Sequence, residues 1–153
     1  MKSARHLSRE FAVQSLYQWL LAKHDTAEIA GDIALFRGYD KCDPVYFREL
    51  LDGVVAHAPE IEAAVTPCLD RPLAQLAPIE RAILMIAACE FQHHLDVPYR
   101  VVINEAVELA KVFGGTDGHK FVNGVLDKLA AVMREPEVRE SRESRIAKRA
   151  ATN

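Results

Sequence analysis

With 153 residues, half of them hydrophobic, the chain is long enough for one domain or two small ones sharing a core. No stretch approaches the roughly eighteen consecutive apolar residues of a membrane span, and no apolar run follows the first charges as in a signal peptide. The net charge of −3 excludes a generic polyanion binder.

The charge is uneven. Residues 1–24 carry Lys2, Arg5, Arg9 and Lys23 against Glu10, and residues 134–153 carry six Lys/Arg against four Glu. Residues 25–133 carry nine Lys/Arg against seventeen Asp/Glu. Basic ends on an acidic body predict a localised nucleic-acid contact and a second surface suited to a basic partner. Cys42, Cys68 and Cys89 are odd in number and form no CxxC pair, which argues against a disulfide framework or a structural zinc site and fits a reduced, cytoplasmic compartment.

Residues 3–23 read as a helix. At about 100° per residue, Lys2, Arg5, His6 and Arg9 share a side with Val13, Leu16, Tyr17 and Leu20, so a stripe begins basic and becomes apolar. Its basic turns then project past the core edge, either as a solvated helix end or as a phosphate contact. Asp25 to Phe36 reads as a second helix with Asp25 as cap and Ile29, Ile33 and Phe36 as its stripe. Asp43-Pro44, a cap followed by proline, starts a third helix carrying Val45, Phe47, Leu50, Leu51, Val54 and Val55. Pro59 interrupts it, a fourth piece follows with Ile61, Val65 and Leu69, and residues 70–77 form a bridge.

Pro78 opens a fifth helix that is apolar on most sides and therefore central. Glu90 lies on it. A buried carboxylate there is either a catalytic acid or, the reading favoured, a hydrogen-bonded structural group. Residues 101–113 read as an amphipathic helix stopped by Gly114-Gly115, with glycine in the left-handed conformation. Thr116 or Asp117 caps a following helix that buries Val122, Val125, Leu126, Leu129 and Val132. The exposed start of that helix carries Asp117, His119, Lys120, Phe121 and Asn123, and a helix N-terminus suits a phosphate. Gly124, inside the helix, predicts close approach of another helix. Residues 134–153, charged and poor in apolar side chains, read as a disordered or marginally helical tail.

No P-loop, dinucleotide glycine pattern, HExxH or GxSxG is present. An RNA contact is the chemistry these residues suit. Arg5, Arg9 and Lys120 can neutralise phosphates, and His119 can hydrogen-bond them. Tyr17 and Phe121 are either core rings or platforms for unstacked bases, and Gln14 and Asn123 offer a donor and an acceptor to base edges.

INEAVELAK at 103–111, then FG, a short polar loop and HKFVNGVLD at 119–127 resemble the NusB family of bacterial transcription antitermination factors. Arg9, Ala12, Gln14, Leu16, Tyr17 and Trp19, YFRELLDGV at 46–54, IERAILMIA at 79–87 and Val97-Pro98 extend the resemblance over roughly residues 5 to 133.

The resemblance implies an all-α compact bundle of about seven helices in two three-to-four-helix halves, an RNA-binding domain over 1–133 and a tail over 134–153. It implies a non-enzymatic factor, without cofactor or metal, that binds boxA-containing single-stranded RNA together with the ribosomal protein acting as NusE. Such a factor works within an RNA polymerase antitermination complex with other Nus factors and supports transcription of ribosomal RNA operons. Arg5, Arg9, Tyr17, Asp117, Lys120 and Phe121 carry over as RNA residues, and Glu80 and Arg81 match the region where NusE docks. The N-terminal arginine cluster is thinner than in arginine-rich relatives, and Met85 and Cys89 stand where relatives often carry arginine and tyrosine. The competing readings are a helical accessory domain of an RNA-modifying system, or a module that binds only protein.

Overall fold

A computed structural model describes residues 2–152. Eight α-helices are found among them: α1 (Ala4–Ala22), α2 (Thr26–Ile33), α3 (Pro44–Ala56), α4 (Ala58–Val65), α5 (Pro78–His93), α6 (Tyr99–Phe113), α7 (Gly118–Met133) and α8 (Glu135–Thr152). Short 3₁₀ turns lie at Tyr39–Lys41, Thr66–Cys68 and Leu73–Gln75. None of these helices is long and apolar enough to cross a membrane.

The starts follow local chemistry. Ser3 accepts a hydrogen bond from the His6 N–H at 3.0 Å, and Asp43 accepts one from the Tyr46 N–H at 3.1 Å with Pro44 in the first turn. α2 ends three residues before the expected Phe36, because Leu35 and Phe36 are exposed and give the helix nothing to pack.

Every residue of α5 from Ala82 to Phe91 is buried. Such a helix needs neighbours on all sides, and α1, α3, α4, α6 and α7 supply them. α1–α3 form one half and α4–α7 the other, but α1 packs on both α3 and α5, so the halves share one core.

The polar centre of that core corrects the reading of α1. Arg9 is 3% exposed. Its Nε and Nη2 donate to Glu90 Oε1 and Oε2, each at 2.8 Å, and the Tyr46 hydroxyl donates to Glu90 Oε2 at 2.6 Å. Arg9 Nη1 also lies 3.7 Å from Glu105, which His6 contacts. Arg9 therefore does not project into solvent; it joins α1 to α3, α5 and α6. Glu90 is the hydrogen-bonded structural glutamate that the sequence favours. Burial lowers the Arg9 pKa, but the hydrogen bond and charge of Glu90 more than reverse this, and the net shift is upward. Burial, then Glu90, raises the Tyr46 phenol. Burial pushes the neighbouring Cys89 thiol up to about 12, as befits an inert packed cysteine.

The far end of the chain departs from expectation too. Arg134 is 5% exposed and hydrogen-bonds the carbonyls of Glu90, Phe91, His94 and Val97. Residues 135–152 continue as α8, held at its start by buried Val138 and by Glu137, which accepts from the Tyr99 N–H at 3.0 Å. A boundary at 133 would cut through packed structure. The last turns of α8 are exposed and helical, the second of the two forms expected for the tail. Val132, expected in the core, is 74% exposed.

Candidate nucleic-acid interface

The turn between α6 and α7 is built differently from its sequence reading. Gly114 is not left-handed but extended (φ −84°, ψ 173°). It must be glycine for another reason: a Cβ there would lie 2.6 Å from the Ala110 carbonyl oxygen. The left-handed residue is Asp117 (φ 62°), a conformation that Asp tolerates better than most residues. From it no side-chain hydrogen bond caps α7, so the expected cap is absent. The Asp117 carboxylate instead lies 3.3 Å from Lys120 Nζ, and both side chains are largely exposed.

Phe121 follows, half-buried, with the Arg71 guanidinium 4.8 Å above its ring. Arg71 is in turn hydrogen-bonded to Asp70 at 2.8 Å, which holds that carboxyl below its ordinary range. Lys120, Phe121, Gly124 and Lys128 line a shallow depression of about 190 Å³ with Cys68 and Asp70. Gly124 meets no neighbour: nothing lies within 4 Å of a Cβ placed there. The expected close helix contact is therefore missing, and the glycine leaves the depression open. Sequence reading missed Arg71 and Lys128. The only signal for Arg71 was a cation in the bridge 70–77, and which ring it meets depends on how that bridge packs against α7.

The other site residues divide into groups. Arg5 lies at the far end of α5, 3.5 Å from Asp96 and 4.3 Å over the Tyr46 ring. Since Arg5 meets Asp96 and Arg9 meets Glu90, α1 runs antiparallel to α5. The turns after Arg9 therefore carry half-buried Gln14 and exposed Tyr17 back toward the start of α5. The start of α7 meets that same end, where a Cβ on Gly118 would lie 2.9 Å from Glu80 Oε1. His119 is half-buried. Asn123 turns away from Phe121 toward a groove between α6 and α8, its amide 3.4 Å from Asp127. Arg81 pairs with Glu62 at 2.6 Å. The structure thus gathers Asp117, Lys120 and Phe121 with Arg71 and Lys128, and leaves Arg5 and Arg9 at the other end of α5.

Residues 6–131 match the model of the NusB family. The chain belongs to the NusB family. It is 56% identical over 142 residues to the transcription antitermination protein NusB of Paraburkholderia xenovorans strain LB400, covering 93% of this chain and 99% of that protein. Its fold matches T. maritima NusB, with a TM-score of 0.78 at 30% identity over 86% of this chain and 94% of that one. It also matches a structure of the antitermination factors NusB and NusE in complex with double-stranded RNA, with a TM-score of 0.69 at 27% identity over 81% and 93%. Arg134 and α8 lie beyond the residues matched by the NusB model.

Proposed function

We propose that this NusB-family chain is a non-enzymatic antitermination factor that binds boxA-containing single-stranded RNA together with the ribosomal protein acting as NusE. It acts in the cytoplasm, within an RNA polymerase complex with other Nus factors, during transcription of ribosomal RNA operons. The observation that carries this reading is the cluster at the start of α7. There an aromatic ring and two lysines border an open depression, with Arg71 over the ring, in a chain whose fold matches NusB solved with NusE and double-stranded RNA. Phe121 lines the depression with a ring on which an unstacked base can lie, capped on one side by the Asp70-bound Arg71, and Lys120 and Lys128 are placed to neutralise phosphates. Tyr17 supplies a second ring toward the same end of the bundle.

NusE docks near Glu80 and Arg81. Because Glu80 lies against Gly118, this surface shares an edge with the RNA site rather than standing apart from it. Contact between NusE and the start of α7 would order Lys120 and Phe121, which suits RNA binding that strengthens when NusE is present.

The test is titration of a labelled boxA-like RNA with the protein, with and without NusE, across a salt series. Lys120→Ala is expected to weaken binding and to lower the salt slope by about 0.7, the value for one phosphate on a single strand, with thermal unfolding unchanged. Asp117→Asn should act oppositely. It removes the carboxylate that holds Lys120 and repels phosphate, while asparagine keeps the left-handed backbone, so affinity rises and the gain shrinks at high salt. Wild-type protein that binds neither RNA nor NusE would overturn the reading.

A further inference from the structure

The first face of α8 changes character along its length. At about 100° per residue, Val138, Arg142, Arg145 and Arg149 fall on one stripe, while Glu140 and Glu143 fall on the opposite side. Val138 is buried and fixes that stripe toward the body of the bundle. Beyond it the stripe becomes entirely cationic. Arg142 and Arg145 face Arg100 of α6 across a groove of about 430 Å³, whose α7 wall carries Asn123 and Asp127.

Arg100 is held in place there, its Nε and Nη2 donating to Ser141 Oγ of α8 at 3.3 and 3.0 Å. Among the described residues, no carboxylate lies within 4 Å of the charged groups of Arg100, Arg142, Arg145 or Arg149, whereas Arg139 pairs with Glu135 at 3.3 Å on the same helix. Asp127 is the one acidic side chain lining the groove, and its carboxylate faces the Asn123 amide. The groove therefore holds an excess of unpaired guanidinium groups, which form bidentate contacts with phosphates.

The groove lies on the side of α7 away from Phe121. His119, Asn123 and Asp127 are spaced four residues apart and so form one line down α7, from its exposed first turn into the groove, and a strand held at Phe121 would reach the groove by passing around that turn. We propose that the groove between α6, α7 and α8 is a second RNA-backbone contact, which takes the phosphodiester chain of nucleotides flanking the segment held at Phe121. It is non-specific in sequence, because guanidinium groups that meet phosphates read no base edges. This inference rests on the functional reading above and extends it to a helix outside the residues matched by the family model.

The experiment compares the full chain with the triple variant Arg142→Ala/Arg145→Ala/Arg149→Ala, in the presence of NusE. Both are titrated with a short boxA-like RNA and with the same RNA extended by flanking nucleotides of scrambled sequence. The substituted side chains are exposed, and alanine favours helix. Both proteins are expected to bind the short RNA alike. The extended RNA should bind the wild type more tightly, with a salt slope steeper by about 2 for three further phosphates, so that its advantage falls roughly 20-fold between 50 and 200 mM salt. The triple variant should lose that advantage and the added slope. An advantage for the extended RNA that persists in the variant, or that is absent from the wild type while the short RNA still binds, overturns this inference alone. Failure of the wild type to bind either RNA overturns the functional reading and this inference with it.

Discussion

Arg9→Ala is expected to destabilise the protein by about 3–5 kcal/mol, the usual cost of leaving one partner of a buried ion pair uncompensated. For a chain of this size that lowers Tm by roughly 10 °C or more. The reason lies in what remains. Glu90, 1% exposed, would keep the Tyr46 hydroxyl but lose both guanidinium hydrogen bonds, and water would have to enter between α1 and α5 to replace them. Arg9→Lys should recover only part of the loss, since an ammonium cannot make two parallel hydrogen bonds to one carboxylate. A double-mutant cycle with Glu90→Ala separates the pair from simple loss of packing. The double variant should be less destabilised than the sum of the single variants, with a coupling of about 1–3 kcal/mol. Unchanged thermal unfolding in Arg9→Ala, with a reduced RNA salt slope, would instead mean that Arg9 faces solvent and phosphate.

Arg134→Ala is expected to cost on the order of 3 kcal/mol, although the residue lies outside the span matched by the family model. The last carbonyls of a helix have no partners within it. At the end of α5 the Arg134 guanidinium donates to Phe91 O at 2.7 Å, adds a second donor to Glu90 O at 3.1 Å and His94 O at 3.0 Å beside the N–H groups of His94 and Val97, and reaches Val97 O at 2.9 Å before α6 begins. A positive charge at that end also suits the helix dipole. Its pairing with Glu137 at 2.7 Å then places Glu137 Oε1 on the first N–H of α6. One side chain thus joins the end of α5, the start of α6 and the start of α8. Urea unfolding of Arg134→Ala should show the loss as a lower midpoint with an unchanged slope. A loss below about 0.5 kcal/mol would show that water satisfies these carbonyls equally well.

Both arginines show where sequence reading stops. Local signals transferred well: Asp43-Pro44 starts α3, Pro78 starts α5, and the apolar circumference of α5 puts it at the centre. These depend on neighbours within a turn or two. Arg9 was legible as a cation on a helix face, but its partner lies 81 residues away, and nothing in the periodicity of α1 shows that Glu90 will be opposite. Arg134 looked like the first charge of a tail for the same reason. At the α6–α7 turn, two glycines beside a polar loop suggested left-handed glycine and a side-chain cap. Crowding at the Ala110 carbonyl explains Gly114 instead, and the left-handed position falls on Asp117. Lys120 and Phe121 were legible as a candidate site because they sit together on one exposed helix start. Lys128 follows Phe121 by two helical turns on the same face of α7 and was overlooked, whereas Arg71 was not legible, since only the packing of the 70–77 connection against α7 brings it over the Phe121 ring.

We propose that RNA is held at the start of α7, while the arginines of α1 serve the fold or lie apart from that site. Amide chemical shifts of isotope-labelled protein, followed as boxA-like RNA is added in the presence of NusE, test it most directly. Residues 117–125 and Arg71 are expected to shift together and saturate with the binding curve, while the amides around Arg9 and Glu90 stay in place. Shifts centred on Arg5, Arg9 and Asp96, with residues 117–125 unmoved, would contradict it.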